Sequence, residues 1–168
     1  MRGEPNTPDS LRRRAGERLD EALEVLRSWV EVSSHTRDRA GVEELAARTS
    51  ARFAPLGFSE RLVPSGDAEL GDHRVLSRGS AGPHVVFVSH LDTVYPAEEQ
   101  RRAGFAWRRE GDWVIGPGVA DIKGGTLVAW LALELLAERR NELFEGTRWT
   151  VLLNASEEEG SSTFPGLA

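Results

Sequence analysis

The run PHVVFVSHLDTV, residues 83–94, sets valines, a phenylalanine and a serine directly against His90 and Asp92. An apolar run of this length fits a central strand covered on both faces. Its end is the constraining feature, because a buried strand that stops on an imidazole and a carboxylate delivers chemistry to a sheet edge. In extended chain, residues i and i+2 lie on one face. His90 can then bind a metal while Asp92 holds the other ring N–H and fixes the tautomer, the support that metal-bound histidines need.

Two further stretches share this design. GPGVADIKGG, residues 116–125, carries Asp121 just before an apolar helix, and its glycines let backbone crowd an ion. TRWTVLLNASEEEG, residues 147–160, is a second apolar strand that runs into Glu157, Glu158 and Glu159. In open α/β sheets, sites form outside the carboxyl ends of strands. Gathering these carboxylates with Asp92 and Asp121 is unfavourable without a cation, since like charges raise one another's pKa. The sequence has no cysteine, which excludes disulfides, a thiolate nucleophile and a cysteine-based zinc site. A donor set of His, Asp and Glu suits zinc, cobalt or manganese.

The rest of the chain supplies the frame. Residues 1–8 read as a loose tail, and Asp9 or Ser10 can cap the helix that follows. Leu19, Leu23, Leu26 and Val30 mark an amphipathic helix over about residues 10–32. GVEELAARTSARFAPLG is a second helix, closed by Pro55 and Gly57. FSERLVPSG and HRVLSRGS read as short strands, and FAWRREGDWVIG as a hairpin. KGGTLVAWLALELLAERR is apolar nearly all round and reads as a deeply buried helix. Strands alternate with helices, so the fold class is α/β.

Net charge is −6, which argues against nucleic acid or an acidic membrane surface as partner. No apolar run approaches the ~20 residues of a membrane span and the first residues lack an apolar leader core, so a cytoplasmic location is expected. Lys123 reads as a local cap or ion pair. His35, His73 and His84 read as surface or structural, and Trp107, Trp113, Trp130 and Trp149 as core or hairpin packing. Arg12–Arg14 reads as an exposed helix face.

SHLDTV, GPGVADIKGG and NASEEEGS, in this order and spacing, resemble the dinuclear zinc hydrolases, a family that includes glutamate carboxypeptidase, succinyl-diaminopimelate desuccinylase, acetylornithine deacetylase and the aminoacylases. The resemblance runs from about residue 10 to the end. It implies a three-layer α/β catalytic domain with a central mixed sheet, two Zn2+ ions (with Co2+ or Mn2+ as substitutes), and hydrolysis of an amide in a small peptide or N-acyl amino acid by a metal-activated water. It implies that His90 binds one ion, Asp121 bridges both and Glu158 binds the other. By the same resemblance Glu157 is the general base, Asp92 orients His90, and the Asp121–Ile122 peptide is cis.

The family pattern continues beyond this chain, with a further acidic ligand, a late histidine ligand and an inserted lid domain that often dimerises. Residues 9–168 are therefore expected to be the N-terminal half of such a catalytic domain, a fragment inactive alone. The alternative is a non-catalytic remnant that binds metal weakly or not at all.

Overall fold

The computed structural model describes residues 7–164. The tail expected over 1–8 thus falls mostly outside the described residues. Its last two positions are helical entry: Thr7 caps α1 (Pro8–Glu17) by accepting from the Ser10 amide at 3.2 Å, and the Ser10 hydroxyl answers the Thr7 amide. The cap is therefore Thr7 rather than Asp9 or Ser10. The single helix expected over 10–32 is two helices. Arg18 leaves helical geometry at φ −100°, ψ 4°, and α2 (Leu19–Val30) follows. α3 (Arg39–Phe53) starts from Asp38, whose carboxylate accepts from the Gly41 amide, and a short 3-10 turn carries it to Gly57.

β1 (Ser59–Val63) and β2 (His73–Arg78) form an antiparallel pair, followed by β3 (His84–His90). A short helix α4 (Ala97–Ala103) and the small hairpin β4 (Arg108–Glu110) and β5 (Trp113–Ile115) precede the long α5 (Gly124–Arg139). α6 (Asn141–Glu145) then leads into β6 (Arg148–Asn154). Neither α4 nor α6 was expected from the sequence; both are too short for a periodic apolar stripe to register.

The main sheet has the order β1-β2-β6-β3, antiparallel across β1, β2 and β6 and parallel between β6 and β3. It is the expected mixed sheet of an α/β fold. The parallel step positions the site, because β3 and β6 end side by side, with His90 opposite Asn154. The Leu91 amide extends the ladder to the Asn154 carbonyl at 2.7 Å.

One apolar core joins Val25, Leu26 and Trp29 of α2, Val42, Leu45 and Phe53 of α3, and Leu127, Trp130 and Leu133 of α5 to Leu76, Trp149, Val151 and Leu153 of the sheet. α5 is buried along this stripe, while Val128 on its outer side is exposed. The expectation that residues 83–90 form a central strand covered on both faces is not met within the described residues. β3 is the sheet's edge strand, and Val85, Val86 and Val88 are exposed, Val88 by 60%. The strands inside the sheet are β2 and β6. Trp113, expected to pack, is 75% exposed on the hairpin.

Leu133 has no exposed surface, so Leu133→Ala leaves a void and is expected to destabilise the fold by about 2–5 kcal/mol. Val88→Thr, on the open edge, is expected to change stability by less than about 0.5 kcal/mol. Urea unfolding of both variants checks the contrast.

Candidate metal centre

Three elements deliver side chains to the edge where β3 and β6 end. β3 brings His90. β6 runs on through Ala155 and Ser156 into a single 3-10 turn, Glu157–Glu159. The third contribution is the irregular turn Val119–Lys123 ahead of α5. That turn begins at Gly118 with φ +73°, where a Cβ would stand 3.0 Å from the Thr93 methyl and 3.1 Å from the Lys123 stem, so glycine is required. The Asp121–Ile122 peptide is cis.

One ligand-type atom each from His90, Asp121 and Glu158 lies within 4.8 Å of the others. His90 is buried, and its Nε2 faces Asp121 Oδ1 at 3.0 Å. Asp121 itself is 76% exposed and free to serve more than one partner. Glu157 Oε2 stands 3.9 Å from His90 Nε2 on the same side. The three consecutive glutamates therefore separate by direction. Glu157 and Glu158 face the histidine, whereas Glu159 turns away to pair with Arg37.

Asp92 has a larger part than its spacing from His90 suggests. His90 Nδ1 donates to the Asp92 backbone carbonyl at 3.0 Å, and the Asp92 carboxylate stands farther, at 3.5 Å. That carboxylate, 1% exposed, accepts from the Glu157 amide at 3.0 Å, the Glu158 amide at 3.1 Å and the Thr36 hydroxyl at 2.8 Å. Asp92 thus holds the acidic turn by its backbone as well as bracing the histidine. Sequence reasoning missed Thr36, whose only signal was a hydroxyl in a polar loop.

Electrostatics follow the geometry. Burial alone would lower the His90 pKa, but the hydrogen bonds and charge of Asp92 and the bond to Asp121 outweigh it, and His90 is pushed up to about 9. Burial would raise Asp92, yet His90, Thr36 and the two amides hold it below the usual carboxylate range. Glu158 is pushed up, first by burial and then by Asp121, Asp92 and Glu157, against the pull of His90.

Lys123 is a cap, but of a distant helix rather than a local one: its buried ammonium donates to the Trp29 and Val32 carbonyls at 3.1 Å, at the end of α2, and burial pushes its pKa down to about 8. His73 is fully buried and structural; its Nδ1 accepts from the Ala155 amide at 3.1 Å, and its Nε2 meets Thr163 Oγ1 at 2.8 Å. His84 meets Thr150 at 2.9 Å, and His35 bridges to Thr93.

A mixed α/β sheet that gathers an imidazole and carboxylates beyond its strand ends offers a donor set suited to a divalent metal ion. Comparison with known proteins is specific. The family model described as peptidase family M20/M25/M40 matches residues 86–167. Carboxypeptidase G2 of Pseudomonas sp. (strain RS-16) is 36% identical over 140 residues, covering 83% of this chain and 33% of that protein. Succinyl-diaminopimelate desuccinylase of Thioalkalivibrio sulfidiphilus (strain HL-EbGR7) is 30% identical over 146 residues, covering 86% of this chain and 36% of that one. Among solved structures, human carnosine dipeptidase 1 superposes with a TM-score of 0.79 at 21% identity, over 98% of this chain and 38% of that chain. The metallo-carboxypeptidase Sso-CP2 of Sulfolobus solfataricus, titled a member of the M20 family, gives 0.64 at 21% identity, over 84% and 32%. The chain is thus similar to the peptidase family M20/M25/M40, both over residues 86–167 and in the relatives that match most of its length. It spans about a third of the length of the curated relatives it matches. Among the described residues, no helix is long and apolar enough to cross a membrane.

Because folded His90 binds its proton more tightly than the ordinary value of 6.5, it adds stability that is full below pH 6.5 and lost as pH rises through about 9. In EDTA, the Tm advantage of the wild type over His90→Gln is expected to shrink between pH 6.5 and pH 9. A constant difference across that window would contradict the assigned pairing.

Proposed function

We propose that this chain carries the metal-binding core of a hydrolase that cleaves an amide bond in a small peptide or N-acyl amino acid. The observation that carries the reading is the convergence of His90, Asp121 and Glu158, from separate elements, to within 4.8 Å. The donor set fits a borderline-hard divalent ion such as Zn2+, Co2+ or Mn2+: an imidazole nitrogen with carboxylate oxygens and no thiolate. His90 and Glu158 would each hold one ion, and the exposed carboxylate of Asp121 would be shared between them. A bound divalent ion supplies Lewis acidity toward an amide carbonyl and makes water a nucleophile near neutral pH.

The remaining roles fall to this chain's own side chains. Glu157, close to His90 Nε2 but open to solvent, takes the proton from the attacking water and returns it to the leaving amine. Adjacent glutamates can divide the labour because only one need touch metal. Asp92 fixes the His90 ring and the backbone beneath Glu157 and Glu158. The names of the relatives, a carboxypeptidase, a desuccinylase and a dipeptidase, support the substrate class.

Three donors suffice for one ion better than for two. The 168-residue chain is therefore expected to bind Zn2+ or Co2+ without hydrolysing N-acyl amino acids. In calorimetric titration, His90→Ala and Asp121→Asn are expected to weaken binding by at least about tenfold. Glu157→Gln is expected to leave binding within about threefold. Wild-type affinity in both His90→Ala and Asp121→Asn would sink the reading. Turnover by the wild-type chain would overturn the expected inactivity, and Glu157→Gln should then lower it by about 10²–10⁴-fold.

A further inference from the structure

Asp92 is the buried anion on which the acidic turn rests, and what sets its orientation is the question the described contacts answer. A carboxylate rotates broadly about its last torsion, so a plane is fixed only by donors on both oxygens. Oδ1 takes the Glu157 amide, and Oδ2 takes the Glu158 amide. Those two donors belong to the turn that has to be placed, so they cannot by themselves place it. The remaining hydrogen-bonding side chain, apart from His90, is Thr36, whose hydroxyl reaches Oδ2 at 2.8 Å.

Thr36 is itself anchored independently of the acidic turn. It is 2% exposed. Its amide donates to the Thr93 carbonyl at 3.2 Å, and the Thr93 amide donates to the Ser34 carbonyl at 2.8 Å. A parallel bridge pairs His35 with Thr93 between them. Residues 34–36 therefore form a short strap along the chain just past Asp92. Threonine is also stiff at χ1, so the hydroxyl direction follows from the strap.

From this arrangement we infer that Thr36 is a positioning residue for the metal centre: its hydroxyl fixes the Asp92 carboxylate, and through it the backbone that aims Glu157 and Glu158. The inference rests on the proposed metal-binding role of the site. It adds a residue 56 positions before Asp92 that lies outside the proposed ligand set.

The test uses the 168-residue chain and Co2+ as the probe, read by visible absorption and by titration, together with amide hydrogen exchange. Thr36→Val keeps the shape and removes the donor; Thr36→Ser keeps the donor and removes the methyl. Thr36→Val is expected to weaken Co2+ binding by about tenfold, alter the cobalt spectrum, and speed exchange at the Glu157 and Glu158 amides selectively. Thr36→Ser is expected to restore binding to within about threefold and to return the spectrum. A folded Thr36→Val with wild-type affinity, spectrum and exchange, beside a His90→Ala control that loses Co2+, would overturn the Thr36 assignment alone. If His90→Ala binds like wild type, the metal-site reading itself falls. Should Thr36→Val not fold, exchange in the wild type decides: unprotected Glu157 and Glu158 amides would overturn the inference, and strong protection that Thr36→Ser retains would support it.

Discussion

A buried carboxylate that accepts from the backbone of its own neighbouring turn holds this structure's chemistry together. Asp92 sits just past the end of β3, almost wholly removed from solvent, and binds groups from residues 36, 157 and 158. Burying a charge is costly unless it is hydrogen-bonded on most of its lone pairs. Here the donors are supplied by segments far apart in sequence, so the charge is satisfied only when the strap, the strand end and the acidic turn are all in place. The same contacts place His90, whose Nδ1 is held by the Asp92 carbonyl while Nε2 looks toward Asp121.

This arrangement rests in turn on the parallel pairing of β3 with β6. Parallel strands point their carboxyl ends the same way, and the register sets His90 beside Asn154. The long connection between them returns through α5, whose leading turn carries Asp121 into the same corner. Lys123 ties that turn to the end of α2 by donating to two carbonyls there. A positive charge at the carbonyl end of a helix is favourable, which offsets part of the cost of burying the ammonium.

The exposed face of β3 is where composition and surroundings part most clearly. Val85, Val86 and Val88 have the composition of an interior strand, yet within the described residues they line an open edge. The sequence reading of a doubly covered strand used composition, and composition reports the environment a strand is suited to, not the neighbour present beside it. The break at Arg18 was invisible for another reason. The apolar positions that mark the helix, Leu19 to Val30, all lie in α2, and α1 buries no residue that would mark it as a separate helix.

What the sequence by itself determined was which metal-capable donors the chain offers and their approximate address. Metal-capable donors have few residue types, and the strand and helix periods place His90, Asp121 and the glutamates at element ends without any coordinates. The α/β class follows from the alternation of strands and helices, and the family resemblance from the three motifs that hold these donors. Tertiary structure alone decided which glutamate faces the histidine and which pairs with Arg37, which atom of Asp92 braces the ring, and that Thr36 holds Asp92 in place. Apart from the His90–Asp92 contact, each of these is a directional hydrogen bond or ion pair between residues distant along the chain, and local sequence carries no record of the angle at which two such segments meet.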